Sequence, residues 1–172
     1  PTIISSWERV RNDKEPIQPD PELSHASNFL YMLTGNKPDK EMERVFDVCL
    51  ILHADHTFNA STFAAREVAS TRAHMYSAVS AAVGALSGEL HGGANYEVMK
   101  MLLDIKDENN AKEWVKSKIE NGDRIMGMGH AVYKTVDPRS MVLKELSKKL
   151  FEKTGLPWFE ITKKVEETTA EI

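Results

Sequence analysis

The sequence predicts an all-α protein, and three observations carry that expectation. Apolar residues recur at helical spacing along most of the chain, no convincing pair of strands can be found, and residues 75–90 form an alanine-rich segment of the kind that packs helix on helix. Ile3, Ile4, Trp7 and Val10 make the first helical stripe, with no capping signal before it. After a proline-rich turn at 15–23, Ser24 opens a short helix that Gly35 and Pro38 stop. From 38 to 53, Met42, Val45, Phe46, Cys49 and Leu50 fall at i, i+3, i+4, i+7 and i+8, one wide buried face. The next helix runs from about Ala60 to Thr71 and carries Phe63, Ala64 and Val68. Along 75–90, Ala78, Ala81, Ala82 and Ala85 share one side, whose small side chains suit either core packing or a subunit contact. Helices near 93–105 and 110–120 follow. The irregular run from Gly122 to Arg139 then holds three glycines and a proline, and unstructured loops of that length are characteristically functional or disordered. A helix from Ser140 to about Lys153 and another after the turn Gly155–Trp158 complete the series.

The composition excludes several classes of function. A formal charge of −4, from 22 basic and 26 acidic residues without a basic stripe, argues against nucleic acid as a partner. No apolar run approaches the ~18 residues needed to span a bilayer, so no membrane partner is expected. The single cysteine, Cys49, lies in a helical apolar stripe and reads as a small buried hydrophobe, which suits a cytoplasmic location and rules out a disulfide framework.

Chemistry concentrates in three histidine segments: HADHTFNAS at 53–61, GELHGGAN at 88–95 and GMGHAVYKTVDPRS at 127–140. Two of them set the imidazole beside glycine, and the last also joins a titratable ring to an arginine suited to gripping carboxylates. In their order and separations the three segments resemble the citrate synthase family, with His56, His91 and His130 where that family's active-site histidines stand.

The resemblance implies a multi-helical citrate synthase-like fold and the condensation of acetyl-CoA with oxaloacetate, followed by hydrolysis of the citryl thioester. It implies no permanently bound cofactor, the coenzyme A thioester being a co-substrate. A thioester methyl is a weak acid, so a base must act together with a donor that stabilises the developing enolate oxygen. His91 matches that donor and His130 the acid that protonates the attacked ketone, a role open to a ring whose unperturbed pKa of ~6.5 lies near neutrality. Oxaloacetate is a dianion, for which Arg139 supplies planar paired donors, with His56 as its matching histidine. Gly127, Gly129, Ala131, Val132 and Lys134 match the coenzyme-binding segment. The glycines after His91 are expected to keep bulk away from the thioester. His91 before Gly-Gly could also simply help end a helix.

The family's catalytic aspartate has no counterpart here. Asp55, Asp104, Asp123 and Asp137 all stand in the wrong context, so the chain is expected to be an internal piece of a longer enzyme, inactive by itself. Residues 1–92 are expected to belong to the larger helical domain of the family and 93–172 to the smaller, with a homodimer formed through helices 38–53 and 75–90. The same machinery in 2-methylcitrate synthase acts on propionyl-CoA, and one methylene is worth only ~1–3 kcal/mol of discrimination. Two other readings are a non-catalytic helical module and a metal-binding protein, the latter because His53 and His56 stand at i, i+3. A closed zinc site needs about four ligands, and no metal is expected. His25 and His74 match no motif and read as surface residues.

Overall fold

The computed structural model describes residues 1–55, 57–129 and 136–172. Among these, every regular element is helical and none is a strand, as the periodicity requires. The chain divides into two compact units, Pro1–His56 and Thr57–Ile172.

The first unit holds α1 (Thr2–Val10), α2 (His25–Thr34) and α3 (Lys40–Ala54). Its helix starts follow from local polar chemistry. Ser24 caps α2 by accepting from the Ser27 N–H, and Asp39 caps α3 by accepting from the N–H groups of Glu41 and Met42. That cap corrects the expected start at 38: Pro38 stays outside, and Asp39 is extended while it satisfies the first turn. The stacked rings of Phe29 and Phe46, 4.9 Å apart, join α2 to α3, and the Ser24 hydroxyl donates to Glu43 at 2.6 Å. The α3 stripe is less covered than its periodicity implies: Val45 is buried, while Met42, Phe46, Cys49 and Leu50 are half-buried.

The second unit begins with a helical hairpin of α4 (Ala60–Ser70) and α5 (Met75–Leu86). The alanine side of α5 is its covered side, with Ala78 buried and Ala81, Ala82 and Ala85 half-buried, and α4 is the helix packed most extensively on α5. The small residues therefore serve the hairpin within this chain. The side of α5 left outward is larger and apolar: Met75, Tyr76, Val79, Val83 and Leu86 are all exposed. The helix also ends four residues before the expected position 90, because Ser87 caps it and residues 87–92 turn back on its last carbonyls.

Four more helices follow: α6 (Gly93–Ile105), α7 (Glu108–Glu120), α8 (Pro138–Thr154) and α9 (Trp158–Glu171). Asp107 starts α7 two residues before the expected 110 by accepting from the Asn109 N–H. Asp137 likewise starts α8 at Pro138, which corrects the expected start at Ser140 and moves Arg139 from the loop into the first helical turn. Proline fits there because the first helical N–H has no intrahelical partner to lose.

The core of this unit is a cluster of Met101, Leu102, Ile105, Ala111, Val115, Ile161 and Val165, contributed by α6, α7 and α9. Ile125, Met126 and Met128 pack against it and anchor the near side of the motif loop. On the α8 side, Phe151 and Phe159 lie 6.1 Å apart. Lys144 pairs with Glu166 at 2.6 Å, an exposed bridge that contributes little. Among the described residues no helix is long and apolar enough to cross a membrane.

Ile161 is fully buried while Ile119 is 37% exposed. Ile161→Ala should therefore cost about 2–5 kcal/mol by combined transfer and cavity terms, and Ile119→Ala markedly less. Urea denaturation of the two variants checks this; equal losses would show that the cluster is not the core of the unit.

Candidate active site

The site is built around His91, in the turn between α5 and α6, and the first turn of α4. Asn59 caps α4 in an extended conformation, its Oδ1 accepting from the Thr62 N–H at 2.9 Å. This satisfies one of the free N–H groups at the helix start and leaves that of Ser61, one residue earlier, pointing outward. His91 takes it: the Ser61 N–H donates to Nε2 at 3.3 Å, and the Ser61 hydroxyl oxygen lies 3.0 Å from the same nitrogen. A backbone N–H only donates, so Nε2 must present its lone pair there, and the ring proton is assigned to Nδ1. The Ser61 hydroxyl lies 2.8 Å from Asn59 Oδ1 as well, so its one proton has two acceptors to choose from. The outcome is an imidazole that presents an N–H donor on its other edge. Neither Asn59 nor Ser61 stands out by residue type. The available signal is position: both lie at the end of the first histidine segment, where it runs into the head of an apolar helix.

Gly92 has a tighter reason to be glycine than clearance for a thioester. Its N–H donates to the Leu86 carbonyl at 2.9 Å, and a Cβ added to it would lie 2.3 Å from that oxygen and 2.9 Å from Leu86 Cδ1. The close approach of two backbones holds His91 at the end of α5.

Gly127 and Gly129 both adopt left-handed conformations, with φ of 83° and 76°. A Cβ on Gly127 would meet Val98 Cγ2 of α6 at 3.2 Å, whereas one on Gly129 would meet nothing within 4 Å. Backbone conformation alone therefore calls for glycine at 129, and both conformation and packing at 127.

Arg139 is held by the residue that caps its helix. Asp137 accepts from the Arg139 N–H at 2.9 Å and takes the guanidinium on both carboxylate oxygens, Nη2 to Oδ2 at 2.7 Å and Nε to Oδ1 at 3.1 Å. The side chains are 25% and 27% exposed, buried enough for this charge-assisted pair to orient the guanidinium. His56, His130, Ala131, Val132 and Lys134 lie outside the described residues, so the expected convergence of His56 and His130 with Arg139 does too.

The aspartates considered as stand-in bases are engaged elsewhere. Asp104 accepts from Trp114 Nε1 at 2.7 Å, Asp123 pairs with Lys118 at 3.1 Å, Asp137 caps α8, and Asp55 ends α3. His53 turns its Nδ1 onto the Cys49 carbonyl of its own helix at 2.6 Å, and burial pushes the Cys49 thiol pKa up, away from nucleophilic use. His25 and His74 are exposed at helix starts. No group of three or more metal-ligating side chains occurs among the described residues. A surface groove lined by Ile4, Trp7, Phe29 and Leu33 among others contains none of the motif residues.

A family model described as citrate synthase, C-terminal domain, matches residues 1–172. The chain belongs to the citrate synthase family. It is 48% identical over 172 residues to a citrate synthase of Synechocystis and covers 99% of this chain and 43% of that protein. Against a citrate synthase of Haloferax volcanii the identity is 44%, with 99% and 46% covered. A Bacillus subtilis protein named citrate/2-methylcitrate synthase is 43% identical, with 90% of this chain and 42% of that one covered. Among solved structures, a citrate synthase from Pyrobaculum aerophilum superposes with a TM-score of 0.89 at 43% identity, over 99% of this chain and 43% of that one. A Thermoplasma acidophilum citrate synthase, solved as a ternary complex with carboxymethyl coenzyme A and oxaloacetate, gives 0.89 at 36% identity, covering 99% and 45%. The chain thus spans less than half the length of these citrate synthases, and the all-α, citrate synthase-like expectation holds.

The Leu86–Gly92 contact yields a direct test. Gly92→Ala should push the 87–92 turn off the end of α5 and destabilise the protein by about 1–3 kcal/mol, as overpacking does. An unchanged urea midpoint would show that the turn yields freely.

Proposed function

We propose that this chain forms part of a citrate synthase in which His91 is the donor to the enol oxygen. The observation that carries the reading is the Ser61 N–H on His91 Nε2, which leaves Nδ1 protonated and able to donate. In the reaction, a carboxylate base takes a methyl proton from acetyl-CoA while Nδ1–H of His91 stabilises the charge growing on the thioester oxygen. The enolic carbon attacks the ketone carbon of oxaloacetate, and His130 protonates the resulting alkoxide. Water then adds to the thioester carbonyl, the C–S bond breaks, and coenzyme A leaves as the thiol. Arg139 and His56 bind oxaloacetate, and residues 127–134 receive the coenzyme. The ternary complex of the Thermoplasma relative, with a coenzyme A derivative and oxaloacetate bound, supports these substrate classes. The base comes from outside residues 1–172, which accords with the structural duties of Asp104, Asp123 and Asp137. Residues 1–92 and 93–172 contribute to the larger and smaller domains of that enzyme.

If the base is external, the 172-residue chain alone should show no release of coenzyme A thiol from acetyl-CoA and oxaloacetate, while the full-length protein does. Comparable rates would place the base within this chain. In the full-length protein, His91→Ala should lower kcat by about 10²–10³, the cost of removing one oxyanion donor. Wild-type turnover in that variant would overturn the assignment. Propionyl-CoA in the same assay tests the 2-methylcitrate reading, an activity that the Bacillus subtilis relative's name gives beside citrate synthesis.

We further propose that α3 and α5 meet their counterparts in a homodimer. Met75, Tyr76, Val79, Val83 and Leu86 support this as an apolar stripe that α4 leaves uncovered. Val83→Asp should dissociate the dimer in sedimentation; an equally tight dimer would show that this side of α5 lies outside the interface.

A further inference from the structure

We propose that Arg66 is a positioning residue for His91, acting through Phe58 and the first turn of α4. The inference rests on the reading of His91 as the enol donor.

The argument begins where the chain enters α4. Phe58 stands just before the cap Asn59, and Phe63 lies four residues after it, the two positions at which apolar side chains clasp a helix start and set the entry angle of the chain. Their rings meet edge to face at 5.8 Å and 77°. Arg66, one turn beyond Phe63 on the same side of α4, places its guanidinium 4.8 Å from the centroid of the Phe58 ring, within range of the attraction between a cation and a ring face. Phe58 is thus held from two sides by one helix.

The clasp has something to hold. Thr57, immediately before it, has φ of 58°, a left-handed conformation that a β-branched residue adopts only when its surroundings impose it. Release of Phe58 lets Thr57 relax, and Asn59 then leaves the extended conformation, φ −73° and ψ 170°, from which its Oδ1 reaches the Thr62 N–H. Ser61 lies between those two residues, and its N–H is what sets the His91 tautomer. The chain of contacts therefore runs from Arg66 through Phe58 and Asn59 to Ser61 and His91, all within the second unit.

Phe58 and Phe63 are 56% and 53% exposed, so removing the cation opens no cavity and leaves folding intact. The test compares Arg66→Met, which keeps length and loses charge, with Arg66→Lys, which keeps charge, in the full-length protein. Arg66→Met should lower kcat about tenfold, the scale of a small misplacement of a catalytic group, with KM for oxaloacetate unchanged. Arg66→Lys should restore most of that loss. Nitrogen-15 spectra of labelled histidine supply a readout that a merely structural role would not move. His91 should show a lone pair on Nε2 in the parent protein and in Arg66→Lys, and a mixture of tautomers in Arg66→Met. An unchanged His91 signature and kcat in Arg66→Met would overturn the proposal. His91→Ala separates the two readings: full turnover there sinks the donor role of His91, while the nitrogen-15 signature still decides whether Arg66 positions the ring.

Discussion

One hydrogen bond ties the chemistry of this chain to its architecture: the N–H of Ser61 on Nε2 of His91, between residues thirty positions apart. It exists because a helix start has more N–H groups than a single cap can satisfy. Asn59 takes the Thr62 N–H, and the imidazole takes the one left over. Had the cap engaged the Ser61 N–H instead, the ring would keep only the Ser61 hydroxyl, which can donate or accept and so fixes no tautomer. The close backbone approach of Gly92 to Leu86 completes the arrangement from the other side, by fixing where the histidine leaves α5.

Around that bond the second unit uses two kinds of cohesion. The α4–α5 hairpin relies on small side chains that bring helix axes close, and α6, α7 and α9 enclose a conventional cluster of Ile, Leu, Val and Met. Ile125, Met126 and Met128 pin the glycine segment to this cluster, so Gly127 turns the chain between anchored residues. Elsewhere much apolar surface faces outward, on α1 as Ile3, Ile4 and Trp7 and on α5 as Met75 through Leu86. A chain less than half the length of its citrate synthase relatives has room for such faces to be covered by segments or subunits it does not contain.

Asp137 shows how one carboxylate can serve fold and site together. As a cap it starts α8, and as an ion-pair partner it orients Arg139. The proline between them suits the first helical position and shapes the residue before it. An arginine held in this way has its rotamer already chosen by a neighbour two residues away.

The sequence by itself determined the helical class, most helix positions and the family, because helical periodicity, capping residues and the three histidine segments are local patterns that survive without tertiary context. Its errors were also local in kind. The start of α3 at Lys40 and of α8 at Pro138, and the end of α5 at Leu86, were each set by a cap or a turn whose partner atoms are invisible to periodicity. Only the tertiary structure decided which side of α5 the alanines serve, since small residues suit a neighbour in the same chain as well as one in another. Only it revealed the pairing of Ser61 with His91, of Leu86 with Gly92 and of Arg66 with Phe58. The first depends on where two segments meet in space, and the other two on local backbone and ring geometry that periodicity does not record.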